Sequence, residues 1–212
     1  MKKAAVLLDG DQVRRHLRRV LKRDPTEQDV WLFAQTCVRT PDEDLFRIYY
    51  YDCPPYEKAE WHPLKKATED FGNSMTSIRR RAFNEKLSRM DHIAFRSGVL
   101  SFKGWRIGRR ATEDLIGSHG RALMPEDLEP DFEQKRVDMK IGLDAAWLSS
   151  KRIVDRIILA TADSDFIPAM KFARREGVQI VLVRVGRIKQ EMLEHADEVR
   201  DVTFPPKTAG NP

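Results

Sequence analysis

The chain has 212 residues, which is enough for one domain of ordinary size or at most two small ones. Hydrophobic residues make up 41% of it and charged residues 33%, the composition of a globular protein with a well-hydrated surface. Lys and Arg number 38 against 33 Asp and Glu, which suits a polyanionic partner, and no run approaches the roughly 18 apolar residues that a membrane-spanning helix requires.

The two cysteines, Cys37 and Cys53, form no CxxC pair, and no Cys or His spacing is typical of a zinc site. Both are therefore predicted to be reduced thiols in or near the core. The apolar run after Met1 is too short for a secretory signal. Together these features predict a cytoplasmic protein of a reducing compartment with no membrane association.

The first predicted strand is the apolar run at residues 4–8, which ends at Asp9 and a glycine. A run that is apolar on both faces is typical of a central parallel strand, and the glycine allows a tight turn. A helix is predicted to begin near Asp11, with apolar residues at helical spacing. Arg14 and Arg18 lie on its polar face, which is either simply solvated or contacts phosphates.

A second helix is predicted over residues 27–38 and a second strand over 45–51, where aromatic and β-branched residues predominate. The strand stops at Asp52, because the two prolines that follow shortly after it cannot continue a sheet ladder. Asp52 is thus another acid at the end of a strand, for which a turn or capping role is the simpler explanation.

The middle of the chain has the weakest pattern. Residues 58–84 are predicted to be mostly helical with a break at Gly72, after which a further helix runs over 74–90. Residues 93–105 are predicted to form one strand. Residues 106–131 contain glycines, prolines and mixed charge, which indicates a mobile loop.

Trp105 and Arg106 stand where this predicted loop begins. An aromatic ring beside an arginine suits the bases and backbone of single-stranded RNA. A position in or at the edge of the core is the alternative for Trp105.

A helix is predicted over residues 132–148, with Asp138 near its start, where the helix dipole favours a carboxylate. Asp144 lies six residues further on and therefore points in a different direction. Lys135 and Lys140 flank Asp138, and they either contact phosphate or pair with acids.

A buried strand is predicted over residues 156–161 and leads directly into Asp163, Ser164 and Asp165, after which a helix begins. Ligands bind at such strand ends in open α/β sheets. Two carboxylates one residue apart repel each other unless a cation lies nearby. The remaining predictions are a strand over 178–183, a helix over 191–196, a strand over 202–204 and a tail from Pro205.

Strands that alternate with helices predict an α/β fold with a parallel sheet and right-handed crossovers. The carboxyl ends of parallel strands share one edge, so Asp9 is expected to meet the acids at 163 and 165, and Asp138 joins them if its helix starts at that edge. Four carboxylates in one pocket stay ionised together only if cations neutralise them. Oxygen ligands without Cys or His favour Mg²⁺ or Mn²⁺, and such an ion beside a basic surface is one means of hydrolysing phosphodiesters.

Four segments of the chain carry a family resemblance. They are residues 7–10, 47–55, 134–144 and 161–166, with Gly177 downstream of the last. In this order they resemble the NYN-domain family of PIN-like ribonucleases, in the bacterial branch often described as LabA-like. The segments span nearly the whole chain to about residue 183, and the most specific are residues 135–144 and the Asp-Ser-Asp-Phe segment.

The resemblance implies a PIN-like three-layer α/β/α sandwich with a central, mostly parallel sheet. The predicted domain covers residues 1–204, with a helical and loop insertion around 56–131, and the tail covers 205–212. The implied activity is hydrolysis of RNA with Mg²⁺ or Mn²⁺ as cofactor. RNA is the predicted partner, and both a monomer and a homodimer remain open.

Carried over position by position, the acids that bind the metal and act in catalysis are Asp9, Asp138, Asp163 and Asp165. Asp144 matches a further acid of the helix motif, and Ser164 supports the site or only caps the helix. The family often has Asn three residues after the first acid, where this chain has Gln12, preceded by Asp11.

Other functions stay open at this point. A haloacid-dehalogenase-like phosphatase uses two acids one residue apart, as Asp9 and Asp11 are, but gives residues 135–144 no role. A non-catalytic RNA- or protein-binding module of the same fold gains nothing from four acids. Helix capping by Asp163 alone leaves Asp165 unexplained.

Overall fold

The computed structural model describes residues 1–117 and 121–206, so most of the predicted tail lies outside the described residues. The chain divides into two compact units. The first contains Met1–Asp52, Phe83–Gly98 and the described residues from Arg136 onward, and the second contains Cys53–Ala82 and Val99–Lys135. The outer limits predicted for the domain and its insertion stay predictions.

The strands in chain order are β1 (Lys2–Asp9), β2 (Glu43–Asp52), β3 (Ala59–His62), β4 (Ala67–Asp70), β5 (Ile93–Ser97), β6 (Val99–Ile107), β7 (Leu128–Lys135), β8 (Arg156–Ala160), β9 (Gln179–Val183) and β10 (Glu198–Arg200). The helices are α1 (Gly10–Leu21), α2 (Glu27–Thr36), α3 (Met75–Ser88), α4 (Arg109–Gly117), α5 (Val137–Ser150), α6 (Ile167–Arg175) and α7 (Gln190–Leu193), with short 3-10 helices at Pro125–Asp127 and Ser164–Phe166. Across the described ranges, no helix combines the length and the apolar character needed to traverse a bilayer.

A six-stranded parallel sheet in the order β10-β9-β8-β1-β2-β5 organises the first unit. The predicted α/β class with a central parallel sheet is therefore confirmed. β1 lies between β8 and β2, and its residues 4–8 are completely buried, because helices cover both faces of the sheet.

Neighbouring residues of β2 show the three layers. Tyr50 belongs to the core cluster that includes Val13 of α1 and Phe33 of α2. The hydroxyl of the next residue, Tyr51, donates to Asp144 of α5 on the other face, at 2.9 Å. Successive side chains of a strand point to opposite faces, so α1 and α2 cover one face of the sheet and α5 the other.

A buried ion-pair network connects three strands of this sheet. Glu43, the first residue of β2, is 2% exposed and accepts two hydrogen bonds from Arg200 of β10, both at 2.9 Å. It also accepts from Arg156, the first residue of β8. Arg200 is itself 2% exposed and donates to the carbonyl of Cys37 at 2.5 Å. Burial opposes ionisation of Glu43, but these donors outweigh it and lower its pKa to about 2.

Two antiparallel strand pairs, β3–β4 and β6–β7, lie in the second unit. Their small core is aromatic: the rings of Phe71, Phe102 and Phe132 lie with centroids 5.3 to 6.0 Å apart. Trp105 packs on Phe102 with centroids 5.7 Å apart, and its indole N–H donates to the carbonyl of Trp61 at 2.9 Å. Trp61 itself is 59% exposed.

The predictions for the middle of the chain are wrong in three places. Residues 58–71 are not helical, because they form the β3–β4 hairpin in which His62 is buried and its neighbour Trp61 is exposed. Residues 93–105 are not one strand, because the chain leaves the parallel sheet at Gly98. Residues 106–131 are not a loop throughout, since they contain α4, a 3-10 turn and the first half of β7, although residues 118–120 lie outside the described part.

Three boundaries elsewhere also differ from the predictions. Residues 132–135 pair with β6, so the helix that carries Asp138 begins at Val137 and not at 132. The last strand is β10 (Glu198–Arg200), and residues 202–204 are not a strand. The first helix begins at Gly10, because Asp9 and not Asp11 is its N-cap.

Candidate functional site

Asp9 combines a structural and an electrostatic role at the carboxyl end of β1. One carboxylate oxygen accepts from the backbone N–H of Gln12 at 3.2 Å, which caps α1, and the other accepts from the Thr161 hydroxyl at 3.2 Å. A side chain at the next residue, Gly10, would lie 2.6 Å from the carbonyl oxygen of Tyr51, so only glycine fits there. The sequence around Asp9 is thus fixed by close packing.

Burial raises the pKa of Asp9 to about 6. The two hydrogen bonds from Gln12 and Thr161 oppose this shift, while the charges of Asp11 and Asp138 add to it. Asp9 is 8% exposed. A buried carboxyl group at this pKa is half protonated in mildly acidic solution, and a neighbouring positive charge would favour its ionised form.

Asp138 is the second residue of α5. The residue before that helix, Arg136, has a left-handed backbone with φ of 70° and is the N-cap position of α5. Partial burial raises the pKa of Asp138, and the charges of Asp163 and Asp165 raise it further. The first turn of α5 therefore faces the segment that follows β8.

Asp163 and Asp165 lie directly after β8. Asp163 caps the short 3-10 helix by accepting from the backbone N–H of Asp165 at 3.0 Å, and its own N–H donates to the Thr161 hydroxyl at 3.2 Å. The cap is therefore Asp163, while the hydroxyl of Ser164 accepts from the Lys189 ammonium at 2.9 Å. Capping leaves the Asp165 carboxylate unused, and it is exposed.

These contacts bring the four predicted acids into one electrostatic neighbourhood. The charge of Asp138 acts on Asp9, and the charges of Asp163 and Asp165 act on Asp138. In the described ranges, no three His, Cys, Asp or Glu side chains are grouped closely enough to hold one metal ion. The acids thus face the same region, but their oxygens are not gathered into a ligand set.

Two of the predicted supporting acids have partners elsewhere. Asp144 accepts from Tyr51 and, at 3.0 Å, from Arg96, so its carboxylate joins α5 to β2 and β5. Asp11 pairs with Arg15 one turn further along α1. Gln12 contributes its backbone N–H to the Asp9 cap.

The predicted RNA-contacting residues differ widely in their surroundings. Arg14 is 8% exposed and donates to the Tyr50 hydroxyl at 2.6 Å and to the buried Asp52, so it is held inside the fold. Asp52 is therefore the partner of a buried cation and not a simple turn residue. Arg18 is exposed and pairs with Asp24 at 2.6 Å.

The other four are also engaged. Lys140 donates to the carbonyl of Ser97 at 2.6 Å. In the second unit, Lys135 pairs with Glu133 at 3.4 Å and Arg106 with Glu129 at 3.8 Å, while Trp105 belongs to the aromatic core. Among these predicted contacts, Arg18, Lys135 and Arg106 have exposed side chains.

A small cavity beside α1 was not expected from the sequence. It has a volume of about 170 Å³ and is lined by Gln12, Arg15, His16, Arg19, Val185 and Gly186. The lining residues come from α1 and from the loop after β9, which are about 170 positions apart in the chain. Sequence spacing alone carries no signal for such a pairing.

Residues 108–203 match the family model of the NYN domain. The matched range contains three of the four acids, Asp138, Asp163 and Asp165, and stops short of Asp9 in the chain's amino-terminal strand. The NYN match therefore supports the family that the sequence motifs resemble.

Two further proteins are similar to this chain. An uncharacterized protein of Methanocaldococcus jannaschii, MJ0482, is 25% identical over 104 residues, which are 49% of this chain and 42% of that protein, so the chain matches less than half of this relative's length. The crystal structure of a protein of unknown function from Vibrio parahaemolyticus, VPA0982, superposes with a TM-score of 0.50 at 17% identity, over 96% of this chain and 94% of that one. This second likeness concerns the fold alone.

Proposed function

We propose that this protein is a metal-dependent ribonuclease of the NYN-domain family, in its LabA-like branch, which hydrolyses phosphodiester bonds of RNA. The observation that carries the proposal is the raised pKa of both Asp9 and Asp138, caused mainly by burial and increased by neighbouring acids, at the sheet edge that also carries Asp163 and Asp165. Ionised carboxylates in such surroundings destabilise the fold unless a cation neutralises them, and raised pKa values of this kind are typical of functional sites.

Mg²⁺ or Mn²⁺ fits this donor set by its chemistry. The four side chains offer only carboxylate oxygens, the ligands that both ions prefer. When bound, the ion neutralises the acids and activates water for attack on phosphorus. Because the carboxylates are not gathered in advance, we expect Asp138 and Asp165, the two exposed members, to move towards Asp9 on binding.

The neighbouring residues of this chain have distinct tasks in the proposal. Thr161 holds one oxygen of Asp9 and the backbone of Asp163, and so fixes the spacing of these two acids. Lys189, held on Ser164, supplies a positive charge beside the acids. Arg18, Lys135, Lys140 and Arg106 remain predicted RNA contacts, whereas Arg14 is withdrawn because it is buried against Asp52.

The remaining parts of the proposal concern the setting of the enzyme. Cys37 and Cys53 are both buried, and the proposed setting is the one predicted from the sequence, the cytoplasm, a reducing compartment. RNA is the proposed partner, and a homodimer is one of the two oligomeric states to be distinguished in solution.

The decisive experiment is cleavage of a mixed pool of RNA and single-stranded DNA with Mn²⁺, with Mg²⁺ and with EDTA. We expect RNA cleavage with either metal and none with EDTA. Asp163→Asn should lower the rate roughly a hundredfold, because it removes a charged ligand while keeping the cap on the 3-10 helix. Asp42→Asn, an exposed acid in the turn before β2, is the matched control and should cut like the wild type.

A non-catalytic RNA-binding module is the second candidate, and the lack of a ligand cluster within residues 1–117 and 121–206 favours it. It predicts that wild type and Asp163→Asn bind RNA equally and that neither cuts RNA with any metal. Transfer of phosphate to Asp9, trapped with a fluoride analogue, would instead point to the phosphatase. Equal cleavage by wild type and Asp163→Asn would contradict the proposed site.

A further inference from the structure

The cavity beside α1 lies next to the acidic region around Asp9. α1 begins immediately after Asp9, and the loop after β9 leaves the sheet at its carboxyl ends, as do the acids. Gln12 connects the acidic region to the cavity, since its backbone N–H donates to the Asp9 carboxylate and the same residue lines the cavity. The cavity therefore opens at the same edge of the sheet as the acids.

The charge of this cavity is opposite to that of the acidic region. Arg15 and Arg19 are one turn apart on α1 and line the same space. Arg15 has Asp11 as its carboxylate partner, whereas the Arg19 guanidinium contacts Nδ1 of His16 at 3.3 Å. A guanidinium held on a neutral ring nitrogen can exchange that weak contact for an anion.

His16 fixes the shape of the cavity. Its ring packs against Phe33 with centroids 5.8 Å apart and is hydrogen bonded to the backbone of Val185. Burial and the nearby Arg19 lower the pKa of His16, so the ring is neutral at pH 7 and accepts from Arg19. The contact to Val185 ties the loop after β9 to α1, and this joins the two walls.

The size and polarity of the space select the ligand. A volume of about 170 Å³ is large enough for a tetrahedral oxyanion such as phosphate. Two arginines and the NH₂ group of Gln12 offer donors suited to anionic oxygens, and an arginine fork matches phosphate geometry. A carboxylate ligand would leave part of this donor set unpaired.

We propose that this cavity binds a phosphate group of the RNA substrate, with Arg15 and Arg19 as the direct contacts and His16 as a positioning residue. This inference rests on the proposed function. It gives the sheet edge two parts, an acidic one for the cation and a basic one that holds the strand by a phosphate. The phosphate comes either from the 5′ end of the strand or from an internal linkage.

The test measures binding and needs no cleavage. Fluorescence anisotropy in EDTA compares a 5′-phosphorylated RNA oligonucleotide with its 5′-hydroxyl form, using wild type and the double variant Arg15→Gln/Arg19→Gln. We expect the double variant to bind the RNA that uses the cavity at least about tenfold more weakly and with a smaller salt dependence. Loss confined to the 5′-phosphorylated RNA assigns a terminal phosphate, and equal loss for both RNAs assigns an internal one.

The matched control carries the same change of net charge. Lys151→Gln/Arg175→Gln removes two exposed cations from the carboxyl ends of α5 and α6, away from the cavity, and should bind both RNAs like the wild type. If the two double variants weaken RNA binding equally, overall charge alone explains the effect and the proposal is overturned. Titration with inorganic phosphate, followed through the NMR signals of His16, gives a readout without RNA.

The outcomes separate the cavity from the proposed activity. If the wild type cuts RNA and the Arg15→Gln/Arg19→Gln variant keeps its affinity, the phosphate cavity is refuted and the nuclease stands. If the wild type never cuts RNA, and Arg15→Gln/Arg19→Gln binds RNA more weakly while the control variant does not, the phosphate cavity is supported and the proposed nuclease activity is refuted. An absence of any shift at His16 with millimolar phosphate, together with unchanged RNA affinity, also refutes the cavity.

Discussion

Asp9 serves the fold and the candidate site with the same two oxygens. As the N-cap of α1 it satisfies the N–H of Gln12, a role that a neutral side chain performs as well as a charged one. As a buried acid beside Asp11 and Asp138 it opposes folding whenever it is ionised. The first contribution does not depend on pH in the neutral range, and the second does.

Replacing Asp9 by Asn therefore has an effect of predictable sign. The pKa of Asp9 is raised from 3.8 in the unfolded chain to about 6 in the fold, so the wild type loses stability as pH rises from about 4 to 6. Asn keeps the cap and carries no charge. We expect Asp9→Asn to be more stable than the wild type by about 1 to 3 kcal/mol at pH 7 to 8 in EDTA, and no more stable near pH 4.

Urea unfolding across this pH range measures the difference. Adding Mg²⁺ at pH 8 should stabilise the wild type more than Asp9→Asn, because the variant has lost one of the four proposed ligands. A variant that is less stable than the wild type at pH 8 in EDTA would show that the acid is not repelled by its neighbours.

At the scale of single elements, the sequence predicts the parallel strands well and the antiparallel strand pairs badly. The run at residues 4–8 is apolar throughout because both faces of β1 are covered, and such a run has few alternative explanations. β3 and β4 have four residues each and mostly exposed side chains, so they carry almost no pattern. Their register depends on aromatic rings that the chain supplies from distant segments.

Some residues of the candidate site could likewise be predicted from the sequence and others could not. The acids at 9, 138, 163 and 165 follow from strand ends and a helix start, which are local features of the chain. The burial of Arg14 could not be predicted, because its partners Tyr50 and Asp52 lie on a different strand and only the folded chain places them under α1. The cavity that Arg15 and Arg19 line could not be predicted for the same reason, since its second wall is remote in sequence.

The two tryptophans of the second unit give a prediction at this scale. Trp105 packs on Phe71 and Phe102 and donates to a backbone carbonyl, whereas Trp61 is 59% exposed. We expect Trp105→Ala to destabilise the strand pairs of this unit by about 2 to 4 kcal/mol and Trp61→Ala by less than about 1 kcal/mol. Limited proteolysis of the second unit, with thermal unfolding alongside, measures both.

Trp61 is the control for Trp105 because its substitution leaves the accepting backbone carbonyl in place. A reversed order, with the larger loss in Trp61→Ala, would contradict the packing described for Trp105. Weaker RNA binding by Trp61→Ala with unchanged stability would identify the exposed ring as a stacking surface.

At the scale of the whole first unit, the network around Glu43 ties strands from opposite sides of β1. Glu43 begins β2, Arg156 begins β8, and Arg200 ends β10. The lowered pKa of Glu43 makes the network sensitive to acid: its contribution is complete above about pH 4.5 and is lost as pH falls towards 2, where Glu43 takes up a proton.

The corresponding prediction concerns the acid limb of the stability curve. The wild type should lose on the order of 2 to 3 kcal/mol between pH 4.5 and 2 through this carboxylate alone. Glu43→Gln should be less stable at neutral pH, because Arg200 and Arg156 then lose their buried carboxylate partner and keep only Glu198 as a counter-charge. Its stability should also vary less over the acid range. Chemical unfolding monitored by circular dichroism measures both curves, and parallel curves would rule out Glu43 as the group responsible.

The pairing of Asp9 with Gly10 has a consequence for how substitution would proceed in related chains. The cap tolerates Asn, Ser or Thr at position 9, and the close approach of Tyr51 tolerates nothing but glycine at position 10. In related chains that do not need the proposed activity, we therefore expect position 9 to vary among capping residues while position 10 remains glycine. Chains that retain the glycine but carry a neutral capping residue before it are expected to keep this fold without the proposed nuclease activity.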